Sequence, residues 1–287
     1  MKLALGTVQF GFKYGIANQT GQVSRSEAKA ILQLALANGI DTIDTAIAYG
    51  ESEACLGEVG TESFNVVTKL PPLPDECLNV AAWVDQQVNE SLSRIGVSSI
   101  YGLLLHRSDQ LLGPNGAALY QALIELKDKE KVQKVGISIY SPAELSGLQR
   151  FSFDIVQAPF NLLDQRLVSS GWMQRLKDDA VEIHTRSAFL QGLLLMEPEN
   201  IPTKFAPWSR FWLIWHHWLA NQSFNAVEAC LAFPISFREI DRVIVGVDNV
   251  SQLKQIMLAA DLKSIDEFPD LRCEDENLIN PAKWAQL

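Results

Sequence analysis

The sequence predicts a single (β/α)8 barrel spanning residues 1–287, on three observations. Short β-branched or apolar runs alternate with longer segments of helical period, which implies βα units and a parallel sheet rather than a sandwich. The strand-like runs number eight, the count at which such a sheet closes on itself. No stretch rich in Pro, Gly or Ser and no shift in composition divides the chain, and no sequence repeat accompanies the structural one.

In chain order the expected strands are 3–8, 41–46, 65–70, 100–106, 134–139, 154–160, 182–189 and 242–247. The first helix carries its own punctuation. Ser24 with Glu27 reads as a capping box, and Asn38-Gly39 ends the segment. Helical periodicity follows the other strands at 52–59, 79–94, 115–130, 142–149, 164–179, 208–231 and 250–260. The rival architecture, an open doubly wound sheet, needs a glycine-rich first turn for a nucleotide. Here that turn reads GTVQFGFKYG, too long and aromatic for the purpose.

Composition excludes several functions. Aliphatic and aromatic side chains make up 47% of the chain and charged ones 20%, enough apolar material for a large core. The net charge of −10, with no local Lys/Arg stripe, argues against a nucleic-acid partner. The four cysteines, Cys55, Cys77, Cys230 and Cys273, have neither C-x-x-C spacing nor metal-type histidine partners. With no signal peptide, disulfide framework or membrane span legible, the expected setting is the cytoplasm, with no membrane partner and no metal.

In a barrel of this kind, chemistry collects at the C-terminal ends of the strands, so a polar residue closing an apolar strand is informative. The second strand closes on Asp44, with Tyr49 just beyond it; the third closes on Lys69; the fourth runs into His106. Singly, each has a plain structural explanation: a loop cap, a packed ring, an ion pair. Jointly, an acid, a phenol, an amine and an imidazole converge on one rim. An ammonium carried there by FNVVT needs a partner against desolvation, and Asp44 is one strand away. A cation beside a phenol stabilises the charge left when the proton departs, which makes Tyr49 a usable acid. His106 can orient a carbonyl oxygen at the same place.

DTAIAYGESEACLG, VVTKL, LLLHRSD, VGISIY and VQAPFNLLD together resemble the aldo-keto reductases, in order and along nearly the whole chain. The resemblance implies a catalytic tetrad of Asp44, Tyr49, Lys69 and His106. It further implies reversible hydride transfer between a nicotinamide nucleotide and a small-molecule carbonyl, an aldehyde or ketone related to sugars, with Tyr49 protonating the oxygen. It also assigns cofactor contacts to Gly6, Thr7 and Asp44, to Ser138 and Gln157 at the carboxamide, and to Arg186, Ser187, Phe189 and Gln191. Leu190 falls beside the last two, near the pyrophosphate. Arg186 stands where the family usually places an aromatic ring that stacks on the nicotinamide. Ile139 stands where many members have an Asn that shares the carboxamide.

After the eighth strand, GVDNVSQLKQI places Gly246, Val247, Gln252 and Ile256 where NADPH-specific members hold the 2′-phosphate and adenine. Lys254 is the lone cation of that segment and Asp248 a competitor for the ribose. NADP(H) is therefore the family default, with NAD(H) the alternative. The residues Trp208, Trp212, Trp215 and Trp218 recur at helical spacing. They read first as packing against the barrel and second as a lid or oligomer surface. Two other functional classes compete: a non-catalytic nucleotide-binding sensor or regulatory subunit, and a lyase or isomerase using Lys69 as a Schiff base.

Overall fold

The computed structural model describes residues 1–16, 18, 21–261, 265 and 267–287. Its eight parallel strands close in sequence order: β1 Leu3–Gly6, β2 Thr42–Asp44, β3 Asn65–Leu70, β4 Ile100–Leu105, β5 Val132–Ser138, β6 Ile155–Pro159, β7 Glu182–Arg186 and β8 Arg242–Gly246. The seam pairs Leu3 with Val243 and Gly6 with Gly246, leaving no free edge. Each expected strand is present. Most stop one to three residues early, and β7 ends where Ser187 turns to φ +66°.

Side chains alternate across a strand, so Asp44, Lys69 and Gln157, which touch one another, fix which parity faces the lumen. Val67 and Ile155 lie two residues below Lys69 and Gln157, and with Leu104 form a small apolar cluster of their own. Further down, Glu182 accepts hydrogen bonds from Tyr101 (2.7 Å) and Lys134 (2.5 Å). The main apolar core packs between strands and helices.

Around the sheet run α1 Arg25–Ala37, α2 Ser52–Val59, α3 Val80–Ile95, α4 Gly116–Asp128, α5 Ala143–Leu148, α6 Trp172–Asp178, α7 Ser209–Ala220, α8 Ala226–Ser236 and α9 Val250–Ala260. Two expected helices are broken. Residues 164–179 divide into a turn at Arg166–Ser169 and α6, because Gly171 at φ +77° reverses the chain between them. Residues 208–231 divide into α7 and α8, because Asn225 opens a new helix with a full capping box to Glu228. The box expected at Ser24 is only half formed. Ser24 Oγ accepts from Glu27 N at 3.2 Å, but the Glu27 carboxylate accepts instead from Val250 N at 2.7 Å, tying the start of α1 to the start of α9.

The Trp-rich segment packs into the chain itself. Trp212 and Trp215 are buried, donating to the carbonyls of Phe205 (3.2 Å) and Leu194 (3.0 Å). Trp208 donates to Asp275 and Trp218 stacks on Trp215.

One buried carboxylate holds β3 to its flanking helices. Glu53, 1% exposed, accepts from Thr68 and Ser91 at 2.7 Å each and from Arg94 Nε at 2.9 Å. Glu53→Ala strands all three donors and is expected to cost about 3–5 kcal/mol. Chemical denaturation checks it, and a loss under about 1 kcal/mol would contradict the account.

Candidate functional site

Position Asp44 at the end of β2 and Lys69 near the end of β3, and both side chains enter the mouth of the lumen. The Lys69 ammonium donates to Asp44 Oδ1 (2.8 Å), Asp44 Oδ2 (2.7 Å) and the Thr45 carbonyl (2.9 Å). Its three donors are thereby used, at 1% exposure. Gln157 on β6 adds an amide to Asp44 Oδ1 at 2.7 Å, and Ser138 on β5 donates to Gln157 at 3.4 Å. Burial works to discharge Lys69, but Asp44 more than offsets it, so its pKa lies above the ordinary lysine value. A fully bonded, charged amine is not a free nucleophile, which disfavours Schiff-base chemistry.

Tyr49 and His106 complete the cluster. The Lys69 Nζ lies 5.1 Å from the centroid of the Tyr49 ring, and the His106 ring meets Tyr49 edge-on at 5.9 Å. The backbone around Tyr49 is set by the loop after β1. A Cβ at Gly11 would lie 1.7 Å from the Tyr49 carbonyl oxygen, so only glycine allows this approach. Phe12 packs edge-on against Tyr49 at 6.3 Å. Burial, and then the Lys69 charge, push the His106 pKa down to about 4. The imidazole is therefore neutral at neutral pH and keeps one N–H to donate.

These four residues open onto a cavity of about 570 Å³, inside the range of ligand sites. Gly6, Thr7, Ser138, Gln157, Arg186, Ser187, Phe189, Gln191, Gly246, Asp248 and Gln252 all line it as well. Three residues expected beside them do not. Leu190 and Val247 turn into the core, and Lys254 is exposed away from the cavity. Ile139 is also fully buried, and its carbonyl accepts from Arg186 at 2.9 Å. One face of the Arg186 guanidinium is covered by the Tyr140 ring at 4.8 Å. None of the four tryptophans of 208–218 lines the cavity, so they form no lid over it.

Sequence reasoning missed Gln9, Tyr14, Asn18, Tyr140 and the C-terminal Pro281 and Ala282, all cavity-lining. For Gln9 and Tyr14 a signal existed, since GTVQFGFKYG leaves the mouth end of β1 and is too aromatic for a plain turn. Asn18 donates to Asp248 Oδ1 at 2.8 Å, a contact between residues 230 apart in sequence. Gln252 Nε2 donates to Asp248 Oδ2 at 3.4 Å while its Oε1 accepts from Asp248 N at 2.7 Å, so the carboxylate is held on both sides. Among the described residues no cluster suited to a metal ion exists, and no helix is long and apolar enough to cross a membrane.

The aldo/keto reductase family model matches residues 2–271. Among solved structures, a Pseudomonas aeruginosa protein assigned to the aldo-keto reductases is similar at 24% identity and TM-score 0.66, covering 90% of this chain and 89% of that one. The aldo-keto reductase AKR11C1 of Bacillus halodurans, in its holo form, is similar at 18% identity and TM-score 0.71, covering 92% and 88%. No curated protein matches significantly.

His106 makes stability depend on pH. Its folded pKa of about 4 lies below the ordinary 6.5, so the unfolded chain binds the proton more tightly. The contribution is present above 6.5 and is lost as pH falls from there toward 4. Melting temperature should drop across that window, and His106→Gln should flatten the drop. Parallel curves for the two proteins would contradict the burial of a neutral imidazole.

Proposed function

Because the chain belongs to the aldo/keto reductase family, we propose that it is a carbonyl reductase dependent on a nicotinamide nucleotide, with Tyr49 as the proton donor. The observation that carries this reading is the Lys69 ammonium, held by Asp44 and lying 5.1 Å from the Tyr49 ring centroid beside His106.

The residues present suit such a nucleotide. Gly6 and Gly246 sit side by side at the mouth, and a Cβ at Gly246 would lie 2.4 Å from Gln9 Nε2. Gln9 Oε1 is buried without a partner, an acceptor left for a ligand group. Ser138 and Gln157 offer a hydroxyl and an amide on the next wall. The bound nicotinamide supplies or accepts the hydride at the carbonyl carbon.

The chain's own residues handle the oxygen. Tyr49 passes its hydroxyl proton to the carbonyl oxygen, and Lys69 stabilises the phenolate that remains. Asp44 keeps Lys69 charged and in place. Neutral His106 donates a hydrogen bond that orients the carbonyl. Alcohol oxidation runs through the same groups in reverse.

Tyr49→Phe removes only the hydroxyl, so nucleotide affinity survives while carbonyl reduction falls roughly two to four orders of magnitude. Retained turnover removes Tyr49 from the role. A chain that binds nucleotide but reduces no aldehyde in a panel is instead a binding module on the same barrel.

NADP(H) is the family default, but the end of the site after β8 holds a fixed carboxylate, Asp248, and no cation among its described lining residues. A 2′-phosphate is repelled there, whereas a ribose diol can donate to Asp248. Preference for NADPH over NADH should stay under about a hundredfold, or about 2.7 kcal/mol. Asp248→Asn should move it toward NADPH, most visibly at low salt. Side-by-side fluorescence titrations decide, and a thousandfold NADPH preference in the parent would sink the reading.

A further inference from the structure

Five arginines are half-buried: Arg25, Arg94, Arg166, Arg186 and Arg242. Four have carboxylates, respectively Glu51 with Glu58, Glu53, Asp164 with Glu276, and Asp41. Arg186 has none among the described residues. It donates to the Ile139 carbonyl at 2.9 Å and to Ser187 Oγ at 3.5 Å, and leans on the Tyr140 ring. A guanidinium withdrawn from water without a counter-ion is costly, and these neutral contacts do not cancel its charge.

The cavity around it does not supply the missing anion. Asp44 is matched by Lys69, and the Asp248 carboxylate accepts from Asn18 and Gln252 beyond β8. Arg186 leans the other way, across the ends of β6 and β5 to Ile139 and Tyr140. It lines the same cavity as Tyr49, Lys69 and His106, at the end of the strand that pairs with β6, whose Gln157 donates to Asp44, which places it at the reacting end. With His106 neutral, that end carries one uncompensated positive charge. The protein as a whole carries −10 and repels anions at long range, so this local cation stands out from its surroundings.

The backbone that carries it is also unusual. Ser187, Leu190 and Gln191 adopt φ of +66°, +47° and +53°, three of the five non-glycine residues with positive φ among the described residues. Such conformations are strained and persist only where surrounding contacts enforce them. Asn161 holds the Ser187 carbonyl at 3.0 Å, and Gln191 donates to the Tyr14 hydroxyl at 3.0 Å. The loop is thus fixed with Arg186, Ser187 and Gln191 on the cavity wall.

Resting on the reductase reading above, and in place of the nicotinamide contact that the resemblance implies for this position, we infer that Arg186 is a substrate-specificity residue: it receives an anionic group, carboxylate or phosphate, borne by the carbonyl substrate close to its reacting carbon. Its planar fork suits either anion in a two-point contact.

The test compares matched substrates in one protein. 4-Oxobutanoate is set against its methyl ester, and glyceraldehyde 3-phosphate against glyceraldehyde. The parent should favour at least one anion over its neutral partner by about tenfold or more in kcat/KM, mainly through KM, and added salt should narrow the ratio. The pair that responds identifies carboxylate or phosphate. Arg186→Met should bring the ratio to about one, and Arg186→Lys should restore part of it. Because each ratio is read within one protein, a general loss of rate in the variant does not move it.

Succinate and inorganic phosphate, followed by calorimetric titration of the parent and Arg186→Met, give a readout without turnover. At least one should bind the parent and weaken about tenfold or more in the variant. If no carbonyl is reduced, the reductase reading fails, and these titrations still decide the anion site. Equal use of charged and neutral substrates by the parent would overturn the inference. So would an unchanged ratio in Arg186→Met accompanied by weakened nucleotide binding, which would assign Arg186 to the nucleotide.

Discussion

The Asp44–Lys69 ion pair is the contact around which the mouth of this barrel is built. Two opposite charges, 5% and 1% exposed, sit inside a sheet whose lower lumen is filled by Val67, Leu104 and Ile155. Neither would be tolerated there alone, because desolvation of an isolated ion exceeds what packing returns. Together, with the Thr45 carbonyl and the Gln157 amide taking up the remaining valences, they form a closed network joining β2, β3 and β6. The network holds a positive charge under Tyr49 at all pH values near neutrality. It also discourages protonation of His106.

From that fixed pair outward, the mouth divides into two unlike halves. On the side of β2 to β4, charges are matched, and the Tyr49 backbone is pressed against Gly11 with no room for a Cβ. On the side of β7 and β8, the wall is glycine, strained loop and an arginine with no carboxylate among the described residues. The matched half suits chemistry that must occur at one geometry. The unmatched half leaves Gln9 Oε1 buried with no hydrogen-bond partner, and Arg186 bonded only to neutral groups, among the described residues.

Much of this was legible in the sequence because barrels translate local pattern into position. Each apolar strand ending in a polar residue carries that residue to the same rim, so Asp44, Lys69 and His106 could be placed together without knowing any distance. The helices were read less well where one residue outweighs periodicity. Gly171 in a left-handed conformation, and Asn225 with its capping box, cut segments whose apolar spacing ran on without interruption. Trp212 and Trp215 of α7 read as packing and are packing, since both are buried and their indole N–H groups find backbone carbonyls within the chain.

The sequence by itself determined the closed eight-stranded order, the identity of the four residues at the rim and most of the cavity wall. The strand order and the rim residues follow from periodicity and strand-end positions within single βα units, and the cavity-wall residues from motifs that resemble the aldo-keto reductases. Only the tertiary structure decided that Glu27 caps α9 rather than its own helix, and that Asn18 restrains Asp248 from 230 residues away. Only it showed that Tyr140 takes one face of Arg186 while no acid among the described residues takes its charge. Pairings of this kind depend on which loops meet across the barrel mouth, and loops from different βα units share no local pattern by which one could be matched to another.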